Sequence, residues 1–257
     1  MSYLFGDSDI AEQRLRVLAE VFQESTRPFL LDTNMPTDST VVDLGCGPGY
    51  STHLLAKHLP CQRVVGMDNS HQFISAAEKT GTDKIEFRVH DVTTVPFPLG
   101  PCDLIFSRLL LAHLEDSQAV IQKWPTQLRP EGLILMEEVD WIETKHPIFS
   151  PYLEILEAVL RSQSNELYPG PMLDRLETIG PLKLRASGVR RLPVSNRQAA
   201  TMFYMNVQTW GHNSYVVANY SRKVIEGLEE ALKELAQRPD DTSDIEWGMR
   251  QVTFQNG

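Results

Sequence analysis

The chain has 257 residues, 42% of them hydrophobic, and a formal net charge of −10. That length can bury the core of one enzyme-sized unit with a small appendage. The acidic balance opposes general affinity for phosphate backbones, which needs clustered Lys and Arg, so nucleic acid is not an expected partner. The start, "MSYLFGDSDIAEQRLRVL", has no basic end followed by an apolar run, and no later segment offers 18 uncharged apolar residues. These features predict a soluble, cytoplasmic protein without a membrane partner. Cys46, Cys61 and Cys102 are the three cysteines, and none forms a CxxC pair. Neither a disulfide framework nor a metal site is expected.

Along the chain, Ala11, Leu15, Leu18 and Phe22 follow helical spacing and predict an amphipathic helix over 10–22, capped by Ser8 or Asp9. Five β-rich runs follow at 41–44, 63–68, 84–89, 102–107 and 132–139, alternating with helical segments at 51–59, 70–80 and 117–128, the last interrupted by Pro125. Strands and helices taking turns predict an α/β fold with a doubly wound, mostly parallel sheet. After Trp141 the alternation stops. Helical patterns at roughly 150–165, 198–210 and 221–236 read as a cap, and the runs 182–194 and 246–255 as the last two of seven strands. The expected organisation is an N-terminal helical segment (1–37), a ligand-binding core (38–145), and a cap with the last strands (146–257).

The stretch "VVDLGCGPGYS" (41–51) leaves a buried strand and enters a helix through Gly45, Gly47 and Gly49. Glycines there let a backbone lie within contact distance of a ligand. A dinucleotide fingerprint requires G-x-G-x-x-G; the spacing here is G-x-G-x-G, which disfavours NAD. Asp68 ends the second strand, where a carboxylate can accept from both hydroxyls of a ribose. Asp91 ends the third, where it can accept from an exocyclic amine such as that of adenine. Three neighbouring strand ends thus carry a site suited to a nucleoside.

In order, "VVDLGCGPG", "VVGMDNS", "VHDVTTVPF", "CDLIFSRLLLAHLED" and "LRPEGLILMEE" resemble the five motifs of the class I S-adenosylmethionine-dependent methyltransferases, over about residues 38–140. The resemblance implies a Rossmann-like fold, with S-adenosylmethionine as cofactor and S-adenosylhomocysteine as its product. It also implies transfer of a methyl group to a small-molecule acceptor such as a secondary metabolite, by a monomer or homodimer. By the same resemblance Gly45, Cys46, Gly47 and Gly49 pass the methionine part, while Asp68 and Asn69 hold the ribose. Asp91 and the Val92 backbone read the adenine, the backbone at Ser107 meets the amino end, and Asp43 orients the glycine loop or reaches the ammonium. The fifth motif has Pro130-Glu131-Gly132 where the family commonly has two glycines after the proline, a change in a solvent-side turn. "FSRL" stands where methylases of nucleic-acid amino groups carry an NPPY-like signature.

The acceptor side, 141–257, has no recognisable substrate motif. His113, just past the fourth strand, is the candidate catalytic base, with ordering of its turn as the plainer role. Trp141, Phe203, Tyr204 and Trp210 are candidates to wall an acceptor pocket, against a plain core role, and Tyr3 and Phe5, ahead of the first helix, to close over the cofactor, against a frayed terminus. Glu137, Glu138 and Asp140 flank the end of the fifth strand, where a paired carboxylate could bind a cation or an amine acceptor, against the plainer reading as solvated acids. The same cofactor site would also serve a non-methylating enzyme performing cyclisation, rearrangement or decarboxylation, or a non-catalytic binding subunit.

Overall fold

The computed structural model describes residues 6–239 and 242–256. Its first helix, α1 (Asp9–Leu31), is capped by Ser8, whose hydroxyl accepts from the Ala11 amide at 3.4 Å. The helix expected over 10–22 is the first part of this longer one. It continues past the amphipathic stretch because Leu30 is buried against Val41, Leu55 and Leu104, so tertiary packing carries it to Pro28 and beyond.

The parallel part of the sheet is β1 (Thr40–Leu44), β2 (Arg63–Asp68), β3 (Ile85–Val89), β4 (Cys102–Arg108) and β5 (Leu128–Thr144). Helices α2 (Tyr50–His58), α3 (His71–Glu78) and α4 (Ser117–Ile121) connect them. Alternate residues of each strand face opposite ways. Val42, Leu44, Val65 and Ile105 fall in one apolar cluster, while Val41, Val64, Leu104 and Phe106 fall in another. Each such side chain, fully buried, contributes about 1.5–3 kcal/mol.

The second half supplies α5 (Phe149–Ser162), α6 (Gly170–Asp174), β6 (Thr178–Ile179), β7 (Leu182–Val194), α7 (Asn196–Trp210), α8 (Ser214–Asn219), α9 (Arg222–Gln237) and β8 (Ile245–Asn256). The strand order is β3-β2-β1-β4-β5-β8-β7-β6. Pairings from β3 to β5 are parallel, and those from β5 onward are antiparallel. The seven expected strands are therefore present with one addition: the two-residue β6 makes eight, and it was too short to show a period. The short helices α6 and α8 escaped notice for the same reason. Strand order reverses between β1 and β4, and the crevice above their carboxyl ends is where such sheets bind ligands. The helical cap packs over this end of the sheet around Phe149, Tyr152, Phe203 and Trp247. Among the described residues, no helix is long and apolar enough to cross a membrane.

Candidate active site

After β1 the chain turns through Gly45, Gly47 and Gly49 with φ of 69°, 53° and 91°. A Cβ at Gly45 would lie 2.6 Å from a Leu110 methyl carbon, and one at Gly49 would lie 2.6 Å from the Phe87 ring. Both positions exclude side chains by conformation and by close neighbours. The Gly45 and Cys46 amides donate to the Met67 carbonyl at 2.8 and 3.1 Å, which ties the loop to β2. Beneath it, Asp43 Oδ2 accepts from the Ser51 and Thr52 hydroxyls, both at 2.7 Å. Burial pushes the Asp43 carboxyl up to about 6, against the opposing pull of those hydroxyls and of Arg108. Asp43 thus anchors the start of α2. Cys46 is buried, and burial raises its thiol well above the usual range, so it acts as a small packing residue.

Asp68 bridges the loops that follow β1 and β2. Its Oδ2 accepts from the Gly47 amide and its Oδ1 from the Ser70 amide, each at 2.9 Å. Burial raises this carboxyl too, with the backbone amides opposing. A carboxylate has about four lone-pair sites, so acceptance from a ribose diol remains open to it. Asn69 is exposed beside it. Ser70 Oγ donates to Asp7 at 2.8 Å, which draws the start of the chain toward this rim. Asp91 is exposed at the end of β3, and its Oδ1 accepts from the amide and hydroxyl of Thr93 at 2.9 and 2.7 Å. The Thr93 hydroxyl bond lowers its pKa. The Val92 carbonyl accepts from Trp124 Nε1 at 3.1 Å. Ser107 is fully buried on β4, and its Oγ has no hydrogen-bond partner among the described residues. The carboxyl ends of β1, β2 and β3 lie side by side in the sheet, so the glycine loop, Asp68 and Asp91 follow one another along one rim.

Beside this rim lies a cavity of about 110 Å³ between the sheet and the cap. Its walls are largely apolar, with Leu18, Phe22, Leu109, Ile142, Phe203 and Trp247 among them. Arg14, His113, Glu138, Tyr152 and Asn206 supply the polar groups. Arg14 donates to Asn206 Oδ1 at 3.2 Å, and Asn206 donates to the Tyr152 hydroxyl at 2.6 Å. Burial, with Arg14 as the smaller cause, pushes the His113 imidazole down to about 3. Glu138 Oε1 accepts from the Leu110 and Leu111 amides at 2.8 and 3.0 Å. Its Oε2 is buried without a hydrogen-bond partner among the described residues, and burial pushes the carboxyl up to about 8.

Of the acceptor-side candidates, His113 and Phe203 line the cavity. Trp210 does not: it is fully buried behind Tyr152, with ring centroids 5.9 Å apart. Tyr204 packs against the cap cluster, and its hydroxyl accepts from Gln208 at 3.1 Å. Trp141 lies over Gly248, where a Cβ would fall 2.2 Å from the indole, with the Arg191 guanidinium 5.3 Å from its ring. Tyr3 and Phe5 lie outside the described residues. The reading of Glu137 and Glu138 as solvated acids is overturned: both are 0% exposed. Glu137 faces α1 and accepts from Ser25, Thr26 and Gln251, while Glu138 faces the cavity. Asp140 accepts from Arg250 Nε at 3.0 Å. Arg14, Tyr152 and Asn206 were missed because each sits on a helix distant in sequence. The signal for Glu138 was available, since two adjacent acids inside the apolar run "LILMEEV" must face opposite sides of a buried strand. Among the described residues, no group of His, Cys, Asp and Glu could hold a metal ion.

A glycine loop at the carboxyl ends of a doubly wound sheet, with an apolar cavity alongside, is an arrangement that suits a cofactor-dependent enzyme. Residues 37–171 match the family model for the methyltransferase domain Methyltransf_31, and the chain belongs to that family. It is 36% identical over 121 residues to trans-aconitate 2-methyltransferase of Variovorax paradoxus (strain S110), covering 46% of each chain. It is 31% identical over 118 residues to phosphoethanolamine N-methyltransferase 1 of Arabidopsis thaliana, covering 45% of this chain and 24% of that one. The matched stretch spans about half the length of the trans-aconitate relatives. Among solved structures, geranyl diphosphate methyltransferase in complex with SAM is alike in fold, with a TM-score of 0.55 and 15% identity over 95% of this chain and 90% of that one.

Proposed function

We propose that the chain binds S-adenosylmethionine along the glycine rim and transfers its methyl group to a small molecule held in the cavity. The observation that carries this reading is the turn after β4. Leu110 packs on Gly45 of the glycine loop, while Leu109, Ala112 and His113 of the same turn line the cavity. One short segment therefore touches both ligand spaces, as in-line transfer between two bound reactants requires. The residues fit the cofactor: positive-φ glycines give it a backbone surface, Asp68 an acceptor for ribose, Asp91 an acceptor for adenine, and Ser107 a buried polar atom at the amino end.

When bound, the cofactor supplies an activated methyl on a sulfonium. The protein's own part is to orient the acceptor and exclude water, and orientation alone can be worth effective molarities of about 10⁵ to 10⁸ M. Asp43 acts here by fixing the loop. His113, held neutral by its apolar walls, positions the turn rather than taking a proton. Tyr204 and Trp210 pack within the cap behind the cavity, while Trp141 covers Gly248 on the sheet.

The relatives' names point to acceptors as different as trans-aconitate and phosphoethanolamine. Trans-aconitate carries three carboxyl groups, whereas among the described residues this cavity offers one cation, Arg14, in mostly apolar walls. The acceptor read from it is an apolar small molecule rather than a polyanion. The three cysteines are buried and free, which suits a reducing compartment, and we place the protein in the cytoplasm as a monomer or homodimer. The test is incubation with S-adenosylmethionine carrying a labelled methyl and a panel of small acceptors. Label in the acceptor supports transfer. A changed acceptor without label would instead indicate a non-methylating reaction.

A further inference from the structure

We propose that Glu138 is a catalytic residue, the proton acceptor of the reaction, and that the acceptor it serves is an apolar molecule bearing an acidic hydroxyl, a phenol or enol. This rests on the methyl-transfer reading above and deepens it.

The first ground is geometric. Glu138 lies within β5 and lines the cavity, and its two oxygens have separate situations. Oε1 is committed to the Leu110 and Leu111 amides, which fixes the carboxyl relative to the turn touching the glycine loop. Oε2 is buried, has no hydrogen-bond partner among the described residues, and belongs to a residue lining the cavity. A buried polar atom left unsatisfied costs about 1–3 kcal/mol, so a partner arriving with the acceptor recovers that free energy. Burial holds the carboxyl up to about 8, while Glu137 opposes ionisation from the far side of the strand. A carboxyl in that range is largely protonated at neutrality, so only its ionised fraction takes the acceptor's proton, and turnover should rise as pH approaches 8.

The second ground is the charge on the other walls. Arg14 puts a guanidinium beside Asn206 and Tyr152, and among the described residues no second carboxylate lines the cavity. His113 is neutral there, and burial raises the Tyr152 hydroxyl so that it stays protonated. A protonated amine would enter against the Arg14 charge. A nucleophile that develops negative charge is favoured by it. The third ground is shape. Tyr152 stacks on Phe203 at 3.9 Å between centroids, Phe203 meets Trp247 at 5.9 Å, and Phe22 meets Trp247 edge-on at 6.0 Å. These rings make walls suited to a flat aromatic body. A cavity of about 110 Å³ holds a molecule with on the order of ten non-hydrogen atoms.

The step balances as follows. The acceptor O–H bond breaks and its proton passes to Glu138 Oε2. The oxygen forms a bond to the methyl carbon, the S–CH₃ bond breaks, and its electron pair stays on sulfur. The products are a methyl ether, the neutral thioether and protonated Glu138, which returns its proton to water when the cavity opens.

The experiment uses the full chain and two variants, Glu138→Gln and Glu138→Asp. Gln keeps an oxygen for the Leu110 and Leu111 amides but cannot take a proton. S-adenosylhomocysteine is titrated first, then 2-naphthol, 4-propylphenol and 4-propylbenzylamine are titrated into that complex. Labelled methyl transfer to each, and to 4-nitrophenol, is then followed. We expect the phenols to bind and to be methylated, and the amine to do neither. Glu138→Gln should leave S-adenosylhomocysteine binding within threefold and lower phenol turnover by about 10² to 10⁴. Its defect should shrink at least tenfold for 4-nitrophenol, which ionises without help, and Glu138→Asp should recover part of the activity. Preference for the amine, binding of no phenol, or an equal Glu138→Gln defect for both phenols would overturn the proposal. Failure of S-adenosylhomocysteine to bind at all would instead strike the proposed function, and this inference with it.

Discussion

Glu137 and Glu138 are neighbours on β5, both fully buried, and they point to opposite sides of the sheet. Glu137 accepts from Ser25 at 2.6 Å, Thr26 at 2.5 Å and Gln251 at 2.6 Å, and it faces the Arg108 guanidinium, which itself donates to Thr26 at 2.9 Å. That network staples α1 to the sheet and so fixes the helix that carries Arg14, Leu18 and Phe22 into the cavity wall. Among the described residues, Glu138 has only the two amides after β4. One acid is structural because its partners surround it, and the other is available because its Oε2 has no hydrogen-bond partner among the described residues.

The first prediction concerns stability against pH. Glu138 titrates near 8 in the folded protein and near 4.5 when exposed by unfolding. Between those values the folded state holds a proton that the unfolded state has released. Wild-type stability should therefore fall as pH rises from about 4.5 to about 8, by on the order of a few kcal/mol. Glu138→Gln has no such proton to lose. Its thermal midpoint relative to wild type should rise steadily across that window, as read by circular dichroism in matched buffers. A difference that stays flat with pH would mean the carboxyl is already ionised in the folded protein.

Asp68→Ala should weaken S-adenosylmethionine binding by roughly tenfold or more, since hydrogen bonds to a charged acceptor are worth about 1.5–3 kcal/mol each. The same change releases the Gly47 and Ser70 amides, so the melting temperature should also drop modestly. Asp68→Asn, which keeps one acceptor oxygen, should lie between. Calorimetric affinity unchanged in both variants would show that the ribose is held elsewhere.

His113→Ala should lower turnover by less than about tenfold and leave the pH profile in place. An imidazole pushed down to about 3 is neutral throughout the range in which enzymes of this kind are assayed. Any ionisation seen in turnover should persist in His113→Ala and vanish in Glu138→Gln. Single-turnover rates from pH 5.5 to 9 decide between the two residues. A limb that disappears with His113 would make the histidine the base.

Much of the cofactor half was legible because its strands are short, apolar and bounded by glycines and acids at their carboxyl ends. "VVDLGCGPG" alone placed the loop, and Asp68 and Asp91 marked the two neighbouring strand mouths. The acceptor side was opaque for a physical reason. Its cavity is assembled from α1, the turn after β4, the end of β5, α5 and α7, which lie far apart in the chain, and only packing brings Arg14 to Asn206. Helical aromatics could not be sorted by period alone: Phe203 reached the cavity while Trp210 went to the core behind it. The Glu137–Glu138 pair was misread because a strand end was taken as exposed, whereas β5 runs on to Thr144 beneath the cap.

The central claim is that the glycine rim holds a single adenosine joined to a sulfonium amino acid. Titration calorimetry of the purified chain with S-adenosylmethionine, S-adenosylhomocysteine and NAD in turn tests it most directly. The account predicts micromolar-scale binding of the first two and no measurable heat with NAD, because the G-x-G-x-G turn, Asp68 and Asp91 form one nucleoside site without a second. NAD binding tighter than either, or neither adenosyl compound binding, would contradict it.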